Sequence, residues 1–157
     1  MSKIKKTNDP AFMFYPKDWL TGTADLMPDE KGVYIDLLCY QHQHLILPKD
    51  TLRLSRLVAL PHDEFLRIWE RIEDNFIPKD GGFINLKLYN LMDNRAVNAK
   101  KKRISGAFAL CLRQNDLTKE QTSAIKKDFR NEDFLEFTED AIMDEVKFWM
   151  TKWLTKR

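Results

Sequence analysis

The sequence has few cysteines and glycines and no long apolar run. Its 157 residues include two cysteines and five glycines. Cys39 and Cys111 lie in apolar helical patterns rather than at disulfide or zinc spacings, so we expect both to be reduced and buried. The chain lacks a run of about 18 apolar residues, and its N-terminus lacks the apolar segment of a signal peptide. We therefore expect a soluble, cytoplasmic protein that does not enter a membrane.

Sequence motifs of catalysis and metal binding are also missing. The chain contains no glycine-rich phosphate loop, no nucleophile elbow and no His-Glu-x-x-His motif. Cys39, His42 and His44 share one predicted helix, but positions 42 and 44 lie about 200° apart, and the one further histidine is His62. We therefore expect a non-enzymatic protein with no metal and no cofactor.

Positive charge is concentrated in one segment. Residues 1–94 carry 12 basic and 14 acidic side chains, residues 104–157 carry 9 and 10, and residues 95–103 carry five cations and no acid. The positive excess of the whole chain therefore comes from residues 95–103. This concentration favours a phosphate contact, while the alternative is a solvated helical connector, because consecutive lysines on a helix point in every direction.

The order of elements before this segment is typical of a winged helix-turn-helix. Helical patterns cover about residues 28–44, the stretch after Asp50, which is placed to cap its helix, and the stretch from His62 onwards. A short apolar run at 45–48 indicates a strand, and residues 76–88 indicate a hairpin. We predict a mainly α protein with a small β-hairpin, in which a winged helix-turn-helix is followed by a C-terminal helical extension.

The flanking segments predict a cover and a second helical unit. Residues 12–22 are rich in aromatics and contain proline and glycine, so we expect an ordered, non-helical cover with Phe14, Tyr15 and Trp19 packed on the core. A helical pattern runs from Leu88 to Gln114, and two further helices follow it. The predicted domains are a flexible tail (1–11), a winged-helix domain (12–94), a basic helical connector (95–104) and a C-terminal helical unit (105–157).

Four ordered motifs resemble one protein family. These are "YPKDWLTGTADL", "PDEKGVYIDLLCYQ", "LPKD" and "GGFINLKL", which span about residues 12–95. They are similar to DUF1376, the YdaU-like family of phage and prophage replication-module proteins, at the positions Asp18, Trp19, Glu30, Gly32, Tyr34, Asn85, Lys87 and Leu88. The resemblance implies a winged helix and a role near replication initiation, through DNA binding or helicase loading, and no established catalytic residue. Met27 departs from the family, in which Ser or Thr caps the first helix.

DNA contacts are predicted away from the third helix. That helix carries more acids than arginines, which would repel phosphates, so readout by a recognition helix is less expected than in other winged helices. We expect weakly sequence-specific contacts to phosphates instead. The predicted DNA-binding residues are Arg95, Lys100, Lys101, Lys102 and Arg103, with Arg53, Arg56, Lys79 and Lys87 as further candidates.

The last helix carries an apolar stripe broader than a small helix buries alone. This stripe predicts packing on the first domain or an oligomer contact, with a homodimer favoured. Its self-association residues are Phe148, Trp149, Met150, Trp153 and Leu154.

Three function classes follow from these observations. The first is a replication-associated DNA-binding protein of phage or mobile-element type. The alternative is a protein-interaction adaptor, of the helicase-loader or regulator type, that uses the winged helix and helical tail without direct DNA binding. In that case the partner is a replicative helicase or another replication protein. A distant third is a metal-dependent nuclease built from acids such as Asp25, Asp29 and Asp36, whose spacing does not demand one.

Overall fold

The chain divides into two compact units, residues 1–94 and 95–157. The structure is a computed structural model, and it describes residues 10–156. The predicted flexible tail, residues 1–11, lies outside the described residues except for Pro10 and Ala11. Each unit is described below by itself.

The N-terminal unit is a winged helix-turn-helix, as the sequence predicts. The elements are α1 (Pro16–Gly22), α2 (Pro28–His44), β1 (Leu47–Pro48), α3 (Thr51–Leu57), α4 (His62–Ile72), β2 (Ile77–Lys79) and β3 (Gly82–Ile84). The sheet is antiparallel with strand order β1-β3-β2, and a single 3-10 turn at Glu73–Asn75 precedes β2.

The N-terminal cover differs from the prediction in two respects. Residues 16–22 form a regular helix, because Pro16 lies in the first turn, where its missing N–H removes no helical hydrogen bond. Trp19 packs against the core, but Phe14 and Tyr15 remain 47% and 40% exposed. The prediction of a non-helical segment with all three aromatics packed was therefore wrong.

Local caps and one tight turn fix the ends of the elements. The Asp50 side chain accepts a hydrogen bond from the backbone N–H of Leu52 at 3.0 Å, which confirms the predicted cap of α3. The two-residue loop between β2 and β3 has φ of 47° at Asp80 and 83° at Gly81. Positive φ at both positions defines a type I′ turn, for which Asp-Gly is a favoured pair.

The core of this unit is assembled from the inner faces of α2, α3 and α4 against the sheet. Leu37, Leu47, Leu54, Phe65 and Ile72 are fully buried.

Cys39 does not join this core, so the prediction that it is buried was wrong. It lies on α2 two residues after the fully buried Leu37, about 200° around the helix and therefore on the solvent side. Partial burial and the neighbouring Asp36 carboxylate raise the pKa of its thiol.

The C-terminal unit is helical. The helix α5 (Leu86–Gln114) begins in the first unit and continues into the second, where α6 (Lys119–Phe129) and α7 (Ile142–Thr155) follow. Phe108, Ile125, Val146 and Met150 are among its buried side chains. The predicted capping box is present, since Thr118 and Gln121 exchange side-chain-to-backbone hydrogen bonds of 3.0 and 3.2 Å.

The apolar stripe of α7 mostly covers the core of its own unit. Met150 is buried, and Trp149, Trp153 and Leu154 pack partly buried against that core. The Trp153 Nε1–H also donates to Asp128 Oδ2 at 2.7 Å. Phe148 is 68% exposed. Because four of the five predicted self-association residues pack inside the unit, Phe148 alone of that set remains largely at the surface.

Candidate nucleic-acid interface

The two arginines of α4 are engaged with acids at the start of α2. Arg67 Nη2 lies 3.2 Å from Asp29 Oδ2, and Arg71 Nε lies 3.7 Å from Glu30 Oε1. Arg71 Nη2 also lies 3.9 Å from Asp25 Oδ2. These contacts turn the positive charge of α4 towards α2.

The other exposed side chains of α4 are three acids and Leu66, which is 42% exposed. Asp63, Glu64 and Glu70 are exposed, and within residues 10–156 none of them has an ion-pair partner. Asp63 and Glu64 lie in the first turn, which is the part of a recognition helix that contacts base edges in helix-turn-helix proteins. This surface repels phosphate, so α4 is poorly suited to enter a DNA groove.

The basic segment is split between two sides of α5. The Lys100 ammonium donates to the Leu135 carbonyl, and Arg103 Nη1 lies 2.6 Å from Glu139 Oε2. Both side chains are therefore held by the loop between α6 and α7. Lys101 and Lys102 are exposed.

The solvent side of α5 carries cations separated by whole numbers of turns. Arg95, Lys102 and Arg113 are all exposed, and their spacings of seven and eleven residues place them on one side of the helix. Exposed Ala99 and Gly106 fall on the same side. Residues 94–115 contain six cations and no acid. We call the exposed residues Arg95, Asn98, Ala99, Lys102, Ser105, Gly106 and Arg113 the α5 outer face.

The remaining predicted DNA contacts differ in their accessibility. Arg53 and Arg56 on α3 are exposed and have no ion-pair partner in the described part of the chain. Lys79 is half-buried, with its Nζ 4.8 Å from the centre of the Tyr89 ring. Lys87 pairs with Asp18. Within this group of four, the two arginines of α3 therefore combine an exposed side chain with the lack of an ion-pair partner among the described residues.

Six of the eight residues that carry the family resemblance line a pocket of about 290 Å³ in the N-terminal unit, and Glu30 and Gly32 lie outside it. Trp19 stacks on Tyr34 with ring centres 5.4 Å apart, and the Asn85 Nδ2–H donates to the Tyr34 hydroxyl at 3.1 Å. The Asp18–Lys87 ion pair lies among the lining residues. These contacts give the motif residues a structural role, because they join α1, α2 and the start of α5.

A buried amide supports the polar side of this pocket. Gln41 is fully buried, and its side chain makes two hydrogen bonds to the Asn85 backbone, at 2.6 and 3.1 Å. The Asn85 side-chain oxygen accepts the backbone N–H of Leu88 at 3.0 Å and so caps α5. Burial raises the pKa of the Tyr34 phenol, and the hydrogen bond with Asn85 opposes part of that rise.

The acids considered for a nuclease centre do not gather at one point. Asp25 and Asp29 pair with different arginines of α4, and Asp36 is exposed on α2. Within the described residues, no group of three or more His, Cys, Asp or Glu side chains is placed to hold a metal ion. No helix in that part of the chain is long and apolar enough to cross a membrane.

Sequence reasoning missed two cations in the C-terminal unit. Arg113 and Lys126 line the same surface groove, although 13 residues separate them. The sequence could have placed Arg113 on the same side of the helix as Arg95, because it lies 18 residues, or five helical turns, after Arg95. Lys126 gave no such signal, since only the packing of α6 beside α5 brings it to the groove.

Taken together, the fold and its charges define a winged-helix protein that has an acidic α4 and an extended basic helix after the wing. The family model described as "Protein of unknown function (DUF1376)" matches residues 11–93, more than half of the chain, and the chain belongs to that family. No curated protein and no solved structure matches it. The α5 outer face begins beyond the matched residues.

Proposed function

We propose that this protein binds DNA without catalysing a reaction, and that the α5 outer face together with Lys101 supplies the main contacts. The observation that carries the proposal is the run 94–115, which has six cations and no acid along a helix with an exposed side. Neutralising phosphates releases condensed counterions, and this release supplies most of the affinity of non-specific DNA binding. Contacts of this kind position the protein without reading sequence.

The α5 outer face is better suited to this role than the acidic surface of α4 is. Between the cations, Ala99 has only a methyl side chain and Gly106 has no side chain, so the helix backbone can approach a nucleic acid closely. Asn98 and Ser105 are exposed hydrogen-bonding groups on the same side. An α-helix with such a surface is compatible with a DNA groove or with a path along the phosphates. Arg53 and Arg56 of α3 are secondary phosphate contacts in this proposal.

The biological setting in this proposal is replication in a phage or another mobile element. The motif resemblance to proteins of replication modules motivates this setting. In it, the protein binds DNA near replication initiation, inside the cell.

The test is the salt dependence of DNA binding. We expect the chain to bind labelled single-stranded and duplex oligonucleotides at low salt, as measured by fluorescence anisotropy. The double variant Lys101→Gln, Lys102→Gln should bind more weakly, with the slope of log affinity against log salt reduced by about two. The matched control is Lys152→Gln, Lys156→Gln, which removes the same charge from the last turn of α7 and the residue after it. Absence of binding at low salt, or equal slopes for the two double variants, would overturn the proposal.

An adaptor function is the second candidate, and one surface favours it. Met13, Phe14, Tyr15 and Leu20 are large apolar side chains that are 40–67% exposed within an eight-residue segment. Exposed clusters of this composition mark protein interfaces. Three of the four line the 290 Å³ pocket, and Leu20 follows Trp19 of that pocket.

A purified replicative helicase is the partner that tests the adaptor function. We expect Leu20→Ser to weaken its binding to this chain in sedimentation velocity, while Lys17→Gln on the same helix leaves it unchanged. If the wild-type chain and the helicase sediment independently, the adaptor function for this partner is wrong.

A further inference from the structure

The C-terminal unit contains an open groove between the end of α5 and α6. Its volume is about 420 Å³. The lining residues are Phe108, Ala109, Leu112, Arg113, Asn115, Leu117, Thr122 and Lys126.

The charge of this groove has one sign. Arg113 and Lys126 are both exposed, and neither has an ion-pair partner within the described residues. Among residues 10–156, no acidic side chain lines the groove. Two unpaired cations on facing helices and no lining acid are complementary to a phosphate group.

The floor of the groove is apolar, and its walls hold spare hydrogen-bond acceptors. Phe108, Leu112 and Leu117 form the apolar part. The Asn115 Nδ2–H donates to the Cys111 carbonyl at 2.8 Å, and the Thr122 hydroxyl donates to the Thr118 carbonyl at 2.8 Å. The side-chain oxygen of Asn115, Oδ1, and the lone pairs of the Thr122 hydroxyl are then available to accept hydrogen bonds from a ligand.

We propose that this groove binds one nucleotide of single-stranded DNA, with the phosphate between Arg113 and Lys126 and the base against the apolar floor. The inference rests on the proposed DNA binding and adds the form of DNA. A base in a duplex is stacked between its neighbours and cannot reach the floor, whereas single-stranded DNA presents unstacked bases to apolar side chains. A simple polyanion satisfies the two cations but leaves the floor empty.

The base contact is tested with two probes of equal charge. Fluorescence anisotropy compares a short oligodeoxythymidylate with an abasic deoxyribose-phosphate oligomer of the same length. We expect the abasic oligomer to bind about tenfold more weakly, the loss typical of one base contact. Leu117→Ser should weaken the thymidylate and leave the affinity for the abasic oligomer unchanged. Polyglutamate of matched charge should compete poorly with the thymidylate.

The phosphate contact is tested with a charge variant and its neighbour. Lys126→Gln should weaken thymidylate binding and lower its salt slope by about 0.7. Lys127→Gln removes the same charge from the next position of α6, which does not line the groove, and should change the affinity less. Asp116→Asn removes the acid nearest in sequence to the groove residues and should strengthen binding.

The groove shares Arg113 with the α5 outer face, and these outcomes separate the groove contact from the other contacts of that face. Equal affinity for the two oligomers, or equal effects of Lys126→Gln and Lys127→Gln, would overturn the groove proposal, even if Lys101→Gln, Lys102→Gln still weakens DNA binding. Absence of any DNA binding would overturn the proposed function and the groove together.

Discussion

At the scale of single residues, Gln41 and Asn85 connect the wing to the helical layer. A fully buried side-chain amide on α2 forms two hydrogen bonds with the backbone of Asn85, in the manner of a neighbouring strand. Asn85 in turn caps α5 through its side-chain oxygen. Two polar residues thereby fix the point where the sheet ends and the long helix begins.

The change Gln41→Met tests this connection. Methionine has a similar volume but forms neither hydrogen bond, so the backbone N–H and C=O of Asn85 lose their partner. We expect the free energy of unfolding to fall by about 2 kcal/mol in urea denaturation. Gln43→Met, an exposed position on the same helix, is the control and should change it by less than about 0.5 kcal/mol. Equal effects of the two changes would contradict the role given to Gln41.

Replacing each of two glycines with alanine should change the stability of the protein in opposite directions. A Cβ on Gly82 would collide with the Leu47 carbonyl oxygen across the sheet, whereas a Cβ on Gly106 would meet nothing within 4 Å. Gly82→Ala should therefore destabilise the N-terminal unit by about 1–3 kcal/mol. Gly106→Ala should stabilise α5 by about 0.5–1 kcal/mol.

Thermal unfolding followed by circular dichroism measures both glycine changes. A stable Gly82→Ala variant would show that β1 and β3 can separate without cost. Each variant serves as the control for the other, because the chemical change is identical.

At the scale of elements, the start of α2 has half of a capping box. Glu30 accepts the Met27 backbone N–H at 2.8 Å, but Met27 occupies the position at which a hydroxyl side chain would complete the exchange. The complete box at Thr118 and Gln121 shows the missing half.

Met27→Ser should complete the capping box and stabilise the N-terminal unit by about 0.5–1 kcal/mol in urea denaturation. Met27 is 62% exposed, so its replacement removes little buried apolar surface. The reverse experiment, Thr118→Ala, should destabilise α6 by about 1 kcal/mol. A Met27→Ser variant no more stable than the wild type would mean that Glu30 alone satisfies this helix end.

The packing of α4 and α5 also determines which of their cations are held in ion pairs. The cations of α4 are occupied by acids of α2, while part of the basic segment of α5 stays exposed. The exposed surface of α4 therefore has an acidic excess, whereas the exposed charges of residues 95–114 of α5 are all positive.

At the scale of the whole molecule, the family match and the proposed DNA contact occupy different parts of the chain. The match covers residues 11–93, and the second compact unit begins at Arg95. Membership of the family therefore describes the winged helix, while the proposed function depends mainly on residues that follow it.

Self-association of the whole chain stays a prediction, and Phe148 gives it a sharper form. Light scattering of the intact chain should give the mass of a dimer, and Phe148→Ser should give a monomer because it removes the one largely exposed residue of the predicted set. Lys152→Gln on the same helix is the control. A monomeric wild-type chain, or a dimeric Phe148→Ser variant, would refute a dimer formed through this face.

The sequence by itself determined the winged helix and several element boundaries in both units. These boundaries depend on residues that are close in sequence, so they can be predicted without knowledge of the tertiary structure. The examples are the Asp50 cap, the Asp-Gly turn and the Thr118–Gln121 pair. The sequence did not predict the helix of residues 16–22, because proline breaks a helix in its interior, whereas Pro16 lies in the first turn, where proline is favourable.

Only the tertiary structure decided which charged and apolar side chains remain available. Lys100 and Arg103 contact a loop that lies more than 30 residues further along the chain. Met150 is buried in the core of its own unit. Arg113 and Lys126 come together because α5 and α6 pack side by side. Helical periodicity gives the side of a helix that a residue occupies, but the partner on that side comes from distant chain segments, so the groove was decided by packing.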